Sequence, residues 1–160
     1  MTAVSGFSET GRLLRVVAKH PRDAFRSTDR GMTWLDITGI LPWHGVKIRV
    51  RPDTRDVFFL TEGSGVYRST NQGVSWTRHG NGSFALDLEV DPNNGNRFFG
   101  GESFFQTRKG GALLSNDGAL TFIAYGLEGR TCGGLTVSAD SVFLYAACYN
   151  SGIWIRRLPP

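Results

Sequence analysis

The chain has 160 residues, with 40% hydrophobic and 20% charged side chains, the balance of an ordinary globular protein and not of a disordered one. Glycine is abundant, at 21 residues, and only 2 methionines are present, which favours many short strands joined by tight turns over a helical bundle. The net charge of +4 comes mainly from arginines spread from Arg12 to Arg157 without a basic stripe, so nucleic-acid binding is not expected.

No apolar run approaches the length that spans a bilayer, so no membrane association is expected. The start, from Met1 to Thr10, lacks the basic and apolar regions of a secretory signal. The expected location is therefore either inside the cell or a piece processed from a longer secreted protein.

In chain order, the first marker is Phe25-Arg-Ser-Thr-Asp-Arg-Gly-Met-Thr-Trp34. It recurs as Tyr67-Arg-Ser-Thr-Asn-Gln-Gly-Val-Ser-Trp76, with Ser69 following Ser27 by 42 residues. A third copy, Ser115-Asn-Asp-Gly-Ala-Leu-Thr-Phe122, follows Ser69 by 46 residues, with Ala119 for the glycine and Phe122 for the tryptophan. Gly152-Ile-Trp-Ile-Arg156 repeats only the lead-in Gly65-Val-Tyr-Arg-Ser69. A second marker, Val50-Arg-Pro-Asp53, returns as Val90-Asp-Pro-Asn93 and more loosely as Val137-Ser-Ala-Asp140, each closing a run of period-two alternation.

One full unit therefore has strands A at Val46–Arg51, B at Asp56–Thr61, C at Gly65–Ser69 and D at Ser75–Arg78. The next has Ala85–Asp91, Arg97–Gly101, Ala112–Ser115 and Thr121–Tyr125. The first unit offers B, C and D at Leu13–Lys19, Ala24–Ser27 and Thr33–Ile37, with Ala3–Ser8 a candidate to complete that end. The last offers A, B and C at Leu135–Ser138, Val142–Cys148 and Gly152–Arg156. Four strands per repeat of some forty residues is the blade of a β-propeller. The expected fold is all-β, one domain or half-propeller over 1–160, with blade units at 12–38, 46–78, 85–125 and 133–157, two complete and two incomplete.

The marker residues have turn chemistry. Ser27, Asp29, Ser69, Asn71, Ser115 and Asp117 are placed to bond turn amides that lack ladder partners. Gly31 and Gly73 supply a positive φ, and Trp34, Trp76 and Phe122 cover the hairpin. Arg26 and Arg68, equivalent in the repeat, read as structural.

The pattern S-x-D-x-G-x-x-W resembles the Asp-box, or bacterial neuraminidase repeat, shared by sialidases, xyloglucan-active hydrolases, sortilin-type receptors and photosystem assembly factors. The resemblance implies that the boxes sit near the rim of one face and are structural. It places ligands at the opposite face, around a central channel lined by the D–A and B–C loops. Those loops carry Trp43, His44, Glu62, His79, Glu102, Tyr125, Glu128 and Arg130, a set suited to a polar ligand such as a sugar. Nothing in the spacing of Glu62, Glu102 and Glu128 singles out the acid pair a glycosidase needs, so no catalytic residue is assigned.

Cys132 and Cys148 flank the turn at Ala139-Asp140-Ser141, each eight residues from Asp140, so a regular hairpin makes them face each other. The simpler expectation is two buried thiols packed as small hydrophobes. Two isolated cysteines are too few ligands for zinc, and neither a metal nor another cofactor is expected.

An incomplete blade leaves an open strand edge. Three arrangements cover it: self-closure by the N-terminal segment, a ring shared with further copies, or a ring completed by another chain. The function expected is a non-enzymatic binding or scaffold module with a glycan or protein partner; the alternative is a fragment of a sialidase- or xyloglucanase-like glycoside hydrolase.

Overall fold

The structure is a computed structural model that describes residues 2–7, 13–18, 24–29, 31–37, 45–61, 63–80 and 85–159. Its strands follow the repeat. β1 (Thr2–Phe7) pairs with β2 (Leu13–Ala18), and β3 (Phe25–Arg26) pairs with β4 (Leu35–Asp36). β3 lies beside β2, so these four short strands form the first unit. β5 (Gly45–Val50), β6 (Val57–Thr61), β7 (Gly65–Ser69) and β8 (Thr77–Gly80) form a four-stranded antiparallel sheet in that order. A second such sheet contains β9 (Ala85–Asp91), β10 (Asn94–Glu102), β11 (Gly111–Ser115) and β12 (Ile123–Ala124). The last sheet has three strands, β13 (Cys132–Val137), β14 (Phe143–Cys148) and β15 (Gly152–Arg157). A short helix, α1 (Phe104–Thr107), which no sequence periodicity announces, lies between β10 and β11.

The N-terminal segment is thus the first strand of its own unit, not a strand added to the last sheet as self-closure requires. The first strands of successive sheets, β1, β5, β9 and β13, lie side by side, which stacks the sheets face to face like blades around an axis.

Each sheet alternates its apolar side chains between two faces, so a core forms between every pair of neighbours. Ala24 and Ile37 meet Ile48, Val57 and Phe59 in the first. Phe58, Leu60 and Val66 meet Leu88, Val90, Phe98 and Ala119 in the second. Phe99 and Leu114 meet Leu135, Leu144, Ala146 and Leu158 in the third. Glycine sets how closely two sheets approach: a Cβ on Gly80 would stand 2.1 Å from the carbonyl oxygen of Ala119 in the next sheet.

The expectation of two free thiols is corrected. Cys132 and Cys148 are register partners across β13 and β14 and form a disulfide. The equal offset from the turn made them neighbours, and neighbouring buried sulfurs are within bonding reach.

Candidate functional site

The three box turns share one construction. Gly31 N–H donates to Ser27 Oγ at 2.7 Å, Gly73 N–H to Ser69 Oγ at 2.8 Å, and Ala119 N–H to Ser115 Oγ at 3.0 Å. Each serine hydroxyl donates to the acid or amide two residues on, Asp29, Asn71 or Asp117. Those side chains then accept the N–H of Thr33, Ser75 or Thr121 at 2.9 to 3.0 Å. Gly31 and Gly73 have φ of 86° and 81°, and Ala119 adopts 68° at the same place. The indole N–H of Trp34 and Trp76 closes back on the carbonyls of Gly31 and Gly73. Hydrogen bonds from the Thr33 side chain hold the Asp29 carboxyl down at about 2, and Thr121 does the same for Asp117. The serine, the acid or amide, and the following threonine or serine of each box are therefore bonded to one another within the turn.

The expected ligand face is described in part. Trp43, His44 and Glu62 lie outside the described residues. His79 is in strand β8, not in the following loop; its Nε2 meets the Gly118 carbonyl at 2.8 Å and its ring stands edge-on to Phe58. It therefore ties its sheet to the box turn of the next one.

Glu102, Glu128 and Arg130 come to one end of the β9–β12 sheet. Glu102 ends β10 and is register partner of Gly111, whose N–H donates to the Arg130 carbonyl at 2.8 Å. The loop holding Glu128 is pinned where Gly129 N–H donates to the Lys109 carbonyl at 2.7 Å. Burial pushes the Glu102 carboxyl above its ordinary value, opposed by Thr107 and Lys109, whereas Glu128 is exposed. Tyr125 and Arg130 instead face the last sheet. The Arg156 guanidinium lies 3.9 Å over the Tyr125 ring, and that of Arg130 lies 4.6 Å over Trp154.

Two further features follow from charges that hydropathy alone assigns to solvent. Lys47 and Arg49 on β5 meet Asp87 and Glu89 at the equivalent positions of β9. Lys47 Nζ is 2.8 Å from Asp87, and Arg49 Nε is 2.9 Å from Glu89. Asp87 also accepts the Leu135 N–H at 2.6 Å, so one buried carboxylate joins three successive sheets. The alternations V-K-I-R-V and L-D-L-E-V carry this signal in the sequence. The other feature is a groove of about 770 Å³ between the last two sheets, bordered by Arg97, Tyr125, Asp140, Arg156, Arg157 and Leu158. It lies where a fourth box would follow β15, since Arg156 holds the place of Ser69 and Ser115 in the repeat.

Among the described residues, no helix is long and apolar enough to cross a membrane, and no cluster of three His, Cys, Asp or Glu side chains is set to hold a metal ion.

No protein-family model matches the chain, and no curated protein sequence matches it. Solved structures do. The GH74 enzyme of Niastella koreensis is similar over 96% of this chain and 22% of its own length, with a TM-score of 0.69 at 20% identity. The GH74 xyloglucanase of Xanthomonas campestris is similar over 97% of this chain and 29% of its own, with a TM-score of 0.73 at 16% identity. YCF48 bound to D1 peptide is similar over 95% of this chain and 48% of its own, with a TM-score of 0.66 at 15% identity. At such identities the likeness establishes fold and not activity. The chain folds as blades of a β-propeller, and it spans less than half the length of each of these three proteins.

Proposed function

We propose that this chain is a non-enzymatic ligand-binding or scaffold module of a β-propeller, with a glycan or another protein as partner and its ring completed by further copies or a second chain. One observation carries the reading. On the outward face of the last sheet Ile153 is 74% and Ile155 63% exposed, beside Tyr145, whereas Val66, the counterpart of Ile153, is fully buried under the next sheet. An apolar sheet face of this kind is stabilised by covering it. A protein partner is the form favoured by the likeness to YCF48, whose structure is described with a bound peptide.

The test is solution mass by light scattering together with a glycan array. A discrete oligomer is expected, and a strict monomer would sink completion by further copies.

The likeness to GH74 enzymes supports a second reading, a piece of a glycoside hydrolase. It predicts turnover on a fluorogenic glycosidase panel that disappears in Glu62→Gln, Glu102→Gln or Glu128→Gln. Such turnover would replace the module reading.

A further inference from the structure

The fourth strand of each complete unit bonds to a fixed place on the third. Ile37 N–H donates to the Ala24 carbonyl at 2.8 Å, just outside β3 and β4. Tyr125 N–H donates to the Ala112 carbonyl at 2.7 Å, and Ala112 N–H donates to the Gly126 carbonyl at 2.8 Å. Ile153 is the matching residue of β15, as Gly152-Ile-Trp aligns with Gly111-Ala-Leu.

The direction of its peptide groups follows from the ladder. Leu158 N–H donates to the Val142 carbonyl at 2.7 Å, continuing the β14–β15 register in which Arg156 opposes Leu144 and Trp154 opposes Ala146. Main-chain groups of an antiparallel strand alternate between its two neighbours. The even-numbered residues of β15 therefore bond to β14, and Ile153, Ile155 and Arg157 point their N–H and C=O groups outward. Among the described residues, no strand pairs with that edge.

Side chains along the edge favour pairing. Ile153, Trp154 and Ile155 are all exposed, so the strand offers apolar surface on both of its faces. At its C-terminal end lies the groove between the last two sheets. There Arg97 is neutralised by the buried Asp91, and Arg156 is held over Tyr125 and donates to the Tyr125 carbonyl at 2.8 Å. Arg157 has no ionic partner among the described residues, and Asp140 is the acid that borders the groove. Arg156 and Arg157 thus outweigh Asp140, and the end of the edge is cationic.

We propose that the outer edge of β15 is a β-augmentation site, where an extended segment of another polypeptide adds antiparallel as the fourth strand. An acidic residue at the segment's N-terminal end meets Arg157, and apolar side chains lie opposite Ile155 and Ile153 on the same face. Main-chain bonding supplies affinity, and the alternate side chains and the carboxylate supply selectivity. The inference rests on the reading of this chain as a module with a protein partner, and it concerns the strand edge and not the sheet face that a further blade would cover.

The test is an NMR titration of the isotope-labelled chain with a synthetic peptide of residues 117–125 carrying Thr121→Asp. This segment contains the strand that fills the same place on β11, and in that register position 121 falls opposite Arg157, with Ile123 and Tyr125 opposite Ile155 and Ile153. Saturable shifts and slowed exchange of the Ile153, Ile155 and Arg157 amides are expected. Ile155→Pro removes an outward N–H without breaking a bond to β14, as proline permits on an edge. It should weaken binding about tenfold or more, equivalent to ~1.4 kcal/mol. Arg157→Glu, at an exposed position, should weaken it severalfold with the fold intact.

Shifts that avoid β15, or binding unchanged in both variants, would overturn the proposal. So would amides already protected from exchange in the free chain. The edge proposal and the module reading fail separately: a monomeric mass or glycosidase turnover bears on the module, whereas the amide pattern bears on the edge.

Discussion

Reducing the Cys132–Cys148 disulfide is the most direct challenge to the architecture of the last sheet. The bond closes a loop with a sequence separation of 16. In the chain-entropy treatment, a loop of that size loses roughly 10 cal/mol/K in the unfolded state, or about 3 kcal/mol at 25 °C. Little else should change, because both sulfurs are buried in one core and the two strands remain paired around them. With a urea dependence near ~2 kcal/mol/M, the midpoint should fall by about 1.5 M. The assay is urea unfolding followed by tryptophan fluorescence, with and without a phosphine reductant, and with thiol titration to confirm reduction. Coincident curves from fully oxidised and fully reduced samples would show that the crosslink adds nothing to stability. The double variant Cys132→Ala/Cys148→Ala should lose more than reduction does, since it also removes two buried sulfurs.

Three further outcomes are expected. Ser69→Ala strands the buried Gly73 N–H, which has Ser69 Oγ as its acceptor, and should cost about 2 kcal/mol in a denaturation series. A loss below ~0.5 kcal/mol would remove the box serine from the account of the turn. Gly80→Ala drives a methyl group into the Ala119 carbonyl and should destabilise by about 1–3 kcal/mol, read as a lower melting temperature. The Asp117 carboxyl is held at about 2, below its unfolded value of 3.8, so its contribution is present above that value and is lost as pH falls through about 2. The stability gap between the wild-type chain and Asp117→Asn should therefore narrow from pH 4 to pH 2, and a constant gap would contradict the assigned hydrogen bonds.

Much of the blade architecture was legible because it rests on local rules. Period-two alternation and the S-x-D-x-G turn chemistry locate the β5–β8 and β9–β12 sheets to within a few residues. The errors have local causes too. Ending strand D at Arg78 places His79 in the loop; the strand instead runs on through Gly80, where close sheet contact leaves no room for a side chain. Four residues of α1 are too few to show a helical period. The candidate ligand face was less legible than the fold. The partners of Tyr125 and Arg130 are Arg156 and Trp154, which lie in another repeat and are brought to them only by sheet stacking. Glu102 and Arg130 are neighbours through Gly111, a relation carried by main-chain bonds that residue type does not encode.

The salt bridges between β5 and β9 bear on how such a chain can be enlarged. Lys47 and Arg49 stand at the same repeat positions as Asp87 and Glu89, so two copies of the 45–80 unit set side by side would bring like charges together in a half-buried seam. Two copies of the 85–124 unit would do the same with carboxylates. Neither unit is then interchangeable with its neighbour, despite their shared outline. The smallest piece that can be duplicated without a charge clash at this seam is the pair, and a tandem array made from either unit alone should be less stable than one that alternates them.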